Sequence, residues 1–299
     1  MTIIRPRDAA VGFLLAALSL TACGGSGDEP SADDSSSSLA ASSPSAPTDP
    51  ESEATPSTGP VDVGGRSVFL ECQGSGSPTV VLEAGLTGDT RTWEQVVPAI
   101  ASETRVCAYD RANVGQSDPA PTPRSAQDMV EDLDAVLSAA GEDSPYVLVG
   151  FSFGGLVSQL YAASHPDDVA GLVLVEATHP DENDVFWSHL RPAQVAEDRA
   201  FMEENPEGVD LLASFAQAQG ASALPRVPLV VVTAGRSEGW PPGWDAKLFD
   251  RLRAQQQRQL AGLVPGGEQV IAEHSGHNVP QEQPEVVITA IETVLTEVG

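Results

Sequence analysis

Positive charge is scarce in this sequence. Its 299 residues hold 15 Lys and Arg against 43 Asp and Glu, a formal net charge of −28. A surface so acidic repels phosphate backbones and anionic headgroups, which excludes nucleic acid as a partner. Cysteine is almost missing as well, with three in the chain. Two of them, without clustered histidines, make a poor metal site, so no metal is expected. No internal repeat is visible. The apolar stretch "AAVGFLLAALSL" (9–20) is too short to cross a bilayer comfortably. The length allows one large domain or two small ones, with an ample core in either case.

The short apolar stretch has another meaning. Arg5 and Arg7 precede it and "LTAC", Leu20 to Cys23, follows it. A positive region, an apolar core and small residues before a cysteine form a signal peptide over 1–22. The last four residues resemble the lipobox of bacterial lipoproteins, in which the cysteine is lipidated and becomes the mature N-terminus. Cys23 is then a membrane anchor on the outer face of the cell. The alternative is an ordinary signal peptide and a secreted product, and either reading implies export. Residues 23–60 hold Ser, Pro, Ala and acid with almost no large apolar side chain. Such a segment cannot offset its ordering entropy by burial and reads as a disordered tether. In an oxidising compartment the remaining cysteines, Cys72 and Cys107, favour a disulfide, with two buried thiols as the alternative.

From residue 61 to 299 the pattern alternates. Apolar, β-branched runs at 66–72, 79–85, 105–110, 146–151, 171–177, 228–235 and 268–273 are separated by helical stretches. One of these, 125–141, is apolar at Met129, Val130, Leu133, Val136 and Leu137 and ends at Gly141. Strands apolar throughout, between amphipathic helices, imply a mostly parallel sheet covered on both faces. The first two runs suggest an antiparallel start. Residues 178–227 break the rhythm, and a connection that long, with helix-like pieces at 192–205 and 208–220, reads as a helical lid insertion.

One hydroxyl stands out. In "VGFSFGGLV" (149–157), Ser152 lies where an apolar run meets a helical one, flanked by Gly150, Gly154 and Gly155. A strand reversing into a helix crowds the turning residue, and small neighbours relieve that crowding. The hydroxyl is held at the C-terminal edge of the sheet beside a helix N-terminus, whose dipole favours developing negative charge. Such a serine needs a base. His165 ends the next helix, and His179 and His189 belong to the insertion. His274 and His277 follow the last strand run, and a loop there can hang a side chain over the turn. "SGH" gives His277 the more flexible approach, with His274 as the alternative.

"TVVLEAGLTGDTRTW" (79–93), "YDRANVGQSDP" (109–119), "GFSFGG" (150–155), "GLVLVEATHP" (171–180) and "SGHNVPQEQPEVV" (275–287), in this order, resemble the α/β-hydrolase superfamily in its bacterial serine esterase-like branch. The resemblance runs from about residue 66 to 299 and weakens in the insertion. It implies a mostly parallel eight-stranded sheet flanked by helices, a Ser152 nucleophile and a His277 general base. The oxyanion donors it implies are the N–H groups of Phe153 and Leu86. The strand before Leu86 commonly ends in His-Gly, but here it ends in Ala84-Gly85. That departure leaves Glu83 without a catalytic role, as a structural residue bonded to backbone. Asp110 and Arg111 are expected to pair with each other. The family arrangement also makes the strands carrying Cys72 and Cys107 neighbours.

The acid that orients the histidine has two candidates. The commonest family position falls near Glu238, after the penultimate strand run. A minority of the superfamily carries the acid one strand earlier, which matches Glu176. Glu176 ends an apolar strand, where a carboxylate is costly without a partner, so it is preferred. The implied activity is hydrolysis of a small-molecule carboxylic ester, without metal or organic cofactor. A serine nucleophile disfavours epoxide hydrolase and haloalkane dehalogenase chemistry. Thioesterase, peptidase, haloperoxidase-like and acyltransferase activities share the same triad. A binding protein on a hydrolase scaffold is the alternative from another class.

Overall fold

The computed structural model describes residues 57–299, except 222 and 238. The expected signal peptide, Cys23 and most of the tether therefore lie outside the described residues.

Eight strands form one sheet: β1 (Ser57–Asp62), β2 (Ser67–Gln73), β3 (Thr79–Glu83), β4 (Val106–Tyr109), β5 (Tyr146–Phe151), β6 (Val169–Val175), β7 (Leu229–Ala234) and β8 (Glu268–Ala272). Their order is β1-β2-β4-β3-β5-β6-β7-β8. The pairs from β4 onward are parallel, whereas β2 runs antiparallel to both β1 and β4. The sheet is thus the mostly parallel one that the apolar runs imply. Strands β3 to β7 are buried along their whole length, apart from one partly exposed residue in β6. By contrast β2 alternates buried and half-buried residues, as a strand covered on one face does.

Two details correct the sequence reading. The sheet does start antiparallel, but the first two runs are not partners of each other, because β4 lies between β2 and β3. In addition, β1 opens at Ser57, inside the segment read as tether to residue 60. This edge strand, STGPVD, is mostly exposed and is held by its backbone pairing to β2. It has no apolar face to betray it.

Among the described residues, nine α-helices accompany the sheet: α1 (Val97–Ile100), α2 (Ala126–Ala140), α3 (Phe153–Ser164), α4 (Glu182–Trp187), α5 (Pro192–Glu203), α6 (Leu211–Gln219), α7 (Ala246–Ala261), α8 (Val279–Glu282) and α9 (Pro284–Val298). The second of them follows its local chemistry closely. Ser125 and Asp128 form a reciprocal capping box at its start, and Gly141 closes it in the left-handed conformation at φ 75°. Its apolar stripe packs with α3 and α6 on one face of the sheet. Trp93, Ile100 and the Val287–Ile291–Val294 stripe of α9 cover the other face. Each fully buried Leu or Val contributes about 1.5–3 kcal/mol, so both layers are needed to hold the sheet. The insertion is helical, as expected, and comprises α4, α5 and α6.

Cys72 and Cys107 sit opposite each other in the β2–β4 register, with Cα atoms 4.1 Å apart, and are joined by a disulfide.

Candidate active site

Ser152 lies between the last residue of β5 and the first of α3, with φ 53° and ψ −123°. That is strained backbone for a residue with a side chain. Its surroundings fix it. The Ser152 N–H donates to Val175 O at 3.0 Å, and its carbonyl accepts the N–H groups of Gly155 and Thr178, each at 2.9 Å. The flanking glycines are required sterically. A Cβ on Gly154 would strike the carbonyls of Glu83 and Ala84, and one on Gly155 would strike Ala177.

His277 comes from the loop between β8 and α8 and is half-buried. Its Nε2 lies 2.9 Å from Ser152 Oγ. Its ring is tilted against Phe151 at 5.1 Å between centroids. The loop is pinned by Glu282, whose carboxylate accepts the Gly276 N–H at 2.8 Å, and by Gln283, which accepts the His274 N–H at 2.6 Å. The other histidines have local partners or face solvent. His274 is exposed, His165 caps α3 and stacks on Tyr161, and His189 is exposed. His179 accepts the Asp181 N–H at 3.0 Å, and burial lowers its pKa, against the pull of Asp181.

Glu176 directly follows β6, is 3 % exposed and has φ 43°. Its Oε2 accepts the Ala234 N–H at 2.5 Å, and its Oε1 lies 3.0 Å from Arg253 Nε on α7. Glu176 thus has the partners that a buried carboxylate requires. Glu238 lies outside the described residues. A cavity of about 290 Å³ is lined by Ser152, His277 and Glu176 together with Glu182, Trp240 and Arg253. The sequence reading missed Glu182 and Arg253. Burial raises the Glu182 pKa to about 7, helped by Glu176 and opposed by Arg253. Among the described residues one cluster has metal-ligand spacing, Cys72, Cys107 and Glu142, and its sulfurs are already bonded to each other.

The residues expected to supply the oxyanion donors follow Ser152 and Gly85 in the chain. Phe153 opens α3, and Gly85, one residue before Leu86, sits against the Ser152 side chain. Two nearby expectations need correction. Glu83 does not bond to backbone. Its carboxylate takes the Tyr109 hydroxyl and Arg111 Nη1, the latter at 2.5 Å. Nor do Asp110 and Arg111 pair with each other. Asp110 accepts the N–H groups of Thr90 and Gln116, while Arg111 reaches Glu83 and Glu207. Burial pushes the Glu83 carboxyl up, against Arg111. It also works against the Arg111 charge, but Glu207 and Glu83 outweigh it and hold the guanidinium protonated above its usual range.

The family profile described as the alpha/beta hydrolase fold matches residues 78–242. The chain belongs to this family. The matched stretch of the α/β hydrolase includes Ser152, Glu176 and the insertion and stops before His277. Among curated relatives, an uncharacterized protein of Bacillus subtilis, YqjL, is 26% identical over 231 residues, covering 73% of this chain and 84% of its own. The putative carbamate hydrolase RutD of Azorhizobium caulinodans is 33% identical over 212 residues, covering 70% and 67%. Among solved structures, the enol-lactonase of Burkholderia xenovorans superimposes with a TM-score of 0.58 at 20% identity, over 80% of this chain and 100% of its own. At that identity the likeness concerns the hydrolase fold.

Proposed function

We propose that this α/β hydrolase cleaves a carboxylic ester of a small molecule through an acyl-enzyme on Ser152. The observation that carries the reading is the 2.9 Å approach of His277 Nε2 to Ser152 Oγ at the end of a buried parallel strand. His277 takes the hydroxyl proton as Oγ attacks the ester carbonyl. The tetrahedral oxyanion is met by the N–H groups of Leu86 and Phe153, and His277 then returns the proton to the leaving alkoxide. Water repeats the sequence on the acyl-enzyme and frees the acid. Glu176 orients the imidazole, itself held by Ala234 N–H and Arg253. The chemistry needs no cofactor.

Labelling with a fluorophosphonate tests the reading, since only an activated serine reacts. Stoichiometric modification of Ser152 is expected. An inert wild type, or label on another residue, overturns it. A second reading has its own support: the relative named a putative carbamate hydrolase is 33% identical to this chain. A carbamate carbonyl follows the same route through a carbamoyl-enzyme, and relative kcat/KM on matched p-nitrophenyl esters and carbamates separates the two.

The same proposal includes export and lipidation of Cys23, supported by the Cys72–Cys107 disulfide, which suits an oxidising compartment. Mass spectrometry of the mature N-terminus tests it, with a diacylglyceryl-cysteine expected.

A further inference from the structure

The insertion reaches the loop that carries Leu86. Glu207, between α5 and α6, is 2 % exposed. Its Oε2 accepts the N–H of Thr87 at 2.7 Å, and Thr87 is held at φ 62°, unfavourable for a β-branched residue. The same carboxylate takes Arg111 Nε at 2.6 Å and Nη2 at 2.9 Å. Arg111 then continues to the loop itself, donating from Nη1 to Ala84 O at 2.6 Å and from Nη2 to Gly85 O at 2.7 Å. With the Glu83 contact at 2.5 Å, all five guanidinium N–H groups are engaged.

The bond to Gly85 O matters most. That oxygen belongs to the peptide whose N–H is Leu86's. In a planar trans amide the C=O and N–H point in opposite directions. Fixing the carbonyl toward Arg111 therefore aims the Leu86 N–H away from the guanidinium. A cation on the carbonyl oxygen also polarises the amide and strengthens its N–H as a donor. Gly88 N–H binds the same carbonyl at 2.9 Å, so the peptide has little freedom to rotate. The base of the insertion is firm too. Arg124 exchanges backbone bonds with Gly208 and Asp210, and the Asn205 side chain bonds the N–H and carbonyl of Val209.

We propose that Arg111 and Glu207 are positioning residues which set the Leu86 N–H for the oxyanion, so that the insertion helps build the catalytic apparatus as well as flanking the pocket. This inference rests on the reading of Leu86 as an oxyanion donor.

The test compares wild type with Glu207→Gln and Glu207→Ala on a p-nitrophenyl ester, and measures inhibition by a trifluoromethyl ketone, which forms an oxyanion on the serine. Rates are expressed per serine titrated to completion by fluorophosphonate, so unfolded molecules do not count. Because removal of one oxyanion donor costs about 10²–10³ in kcat, misaiming it is expected to cost about 10–100-fold. KM should stay within about threefold, inhibitor affinity should fall in step with kcat, and the Gln variant should be milder because it keeps an acceptor for Thr87 N–H. The inference is overturned if kcat and inhibitor affinity stay within about twofold of wild type in both variants, or if KM alone rises. A wild type that fluorophosphonate leaves unlabelled is a different failure, that of the serine hydrolase reading itself.

Discussion

Arg253 Nε lies 3.0 Å from Glu176 Oε1, which ties the carboxylate at the end of β6 to α7. With Ala234 N–H on the other oxygen, Glu176 is fixed in position and compensated in charge. Replacing it with Gln keeps the shape but removes the negative charge that, under the proposed mechanism, holds the imidazole in its working tautomer. Glu176→Gln is expected to lower kcat by roughly 10³–10⁴-fold, and Glu238→Gln by less than about threefold. Steady-state kinetics on a p-nitrophenyl ester decide it, and the reverse ranking assigns the acid to Glu238.

Gly154→Ala sets two effects against each other. Alanine gains up to about 1 kcal/mol of helix propensity. Its Cβ, however, would press on the carbonyls of Glu83 and Ala84, which are backbone atoms and cannot rotate away. Overpacking costs about 1–3 kcal/mol, so the clash wins. A urea midpoint below that of wild type, with unchanged m-value, is expected. An unchanged midpoint would mean the loop yields freely.

Glu182 carries a pH signature. Its pKa is raised to about 7 from an ordinary 4.5, first by burial and then by Glu176. The folded state therefore binds this proton more tightly than the unfolded chain. Its ionisation weakens the fold as pH rises from the unfolded value toward 7, and the full penalty is present above that. Gln mimics the neutral acid. Glu182→Gln should melt higher than wild type at pH 8, and the advantage should shrink to nothing below about pH 4.5. A constant difference in Tm across that range would contradict the assignment.

The disulfide closes a loop with a sequence separation of 35. Chain-entropy reasoning assigns such a loop about 4 kcal/mol of stabilisation. Cys72→Ala/Cys107→Ala is expected to shift the denaturation midpoint down while largely sparing kcat, because β3 separates β4 from the strand that ends at Ser152 and the Arg111 contacts do not involve either cysteine.

The parts of this molecule written in local patterns were legible. The apolar spacing and Gly141 mark α2, and glycine spacing at a strand–helix junction marks Ser152. Nonlocal pairing was legible only through the family resemblance, which made the strands carrying Cys72 and Cys107 neighbours. The local pattern of the run 66–72 alone does not tell it to pair with 106–109 in preference to 79–83, and the exposed β1 has no periodicity. Adjacency also misled. Asp110 and Arg111 are sequence neighbours, yet their side chains engage different loops, whereas Arg111 finds Glu207 at a separation of 96 residues. Glu182 escaped notice because an acidic residue in an acidic helical stretch looks like surface until the pocket wall is built.

The hydroxyl leaves β5 and the imidazole leaves β8, at the opposite end of four consecutive strands. If the two act together as proposed, turnover cannot begin until the last quarter of the polypeptide has docked. In refolding from denaturant, catalysis should be the final signal to recover, trailing tryptophan fluorescence. Under the proposed mechanism, a nascent chain still lacking β8 would carry the hydroxyl without its base and would be chemically silent.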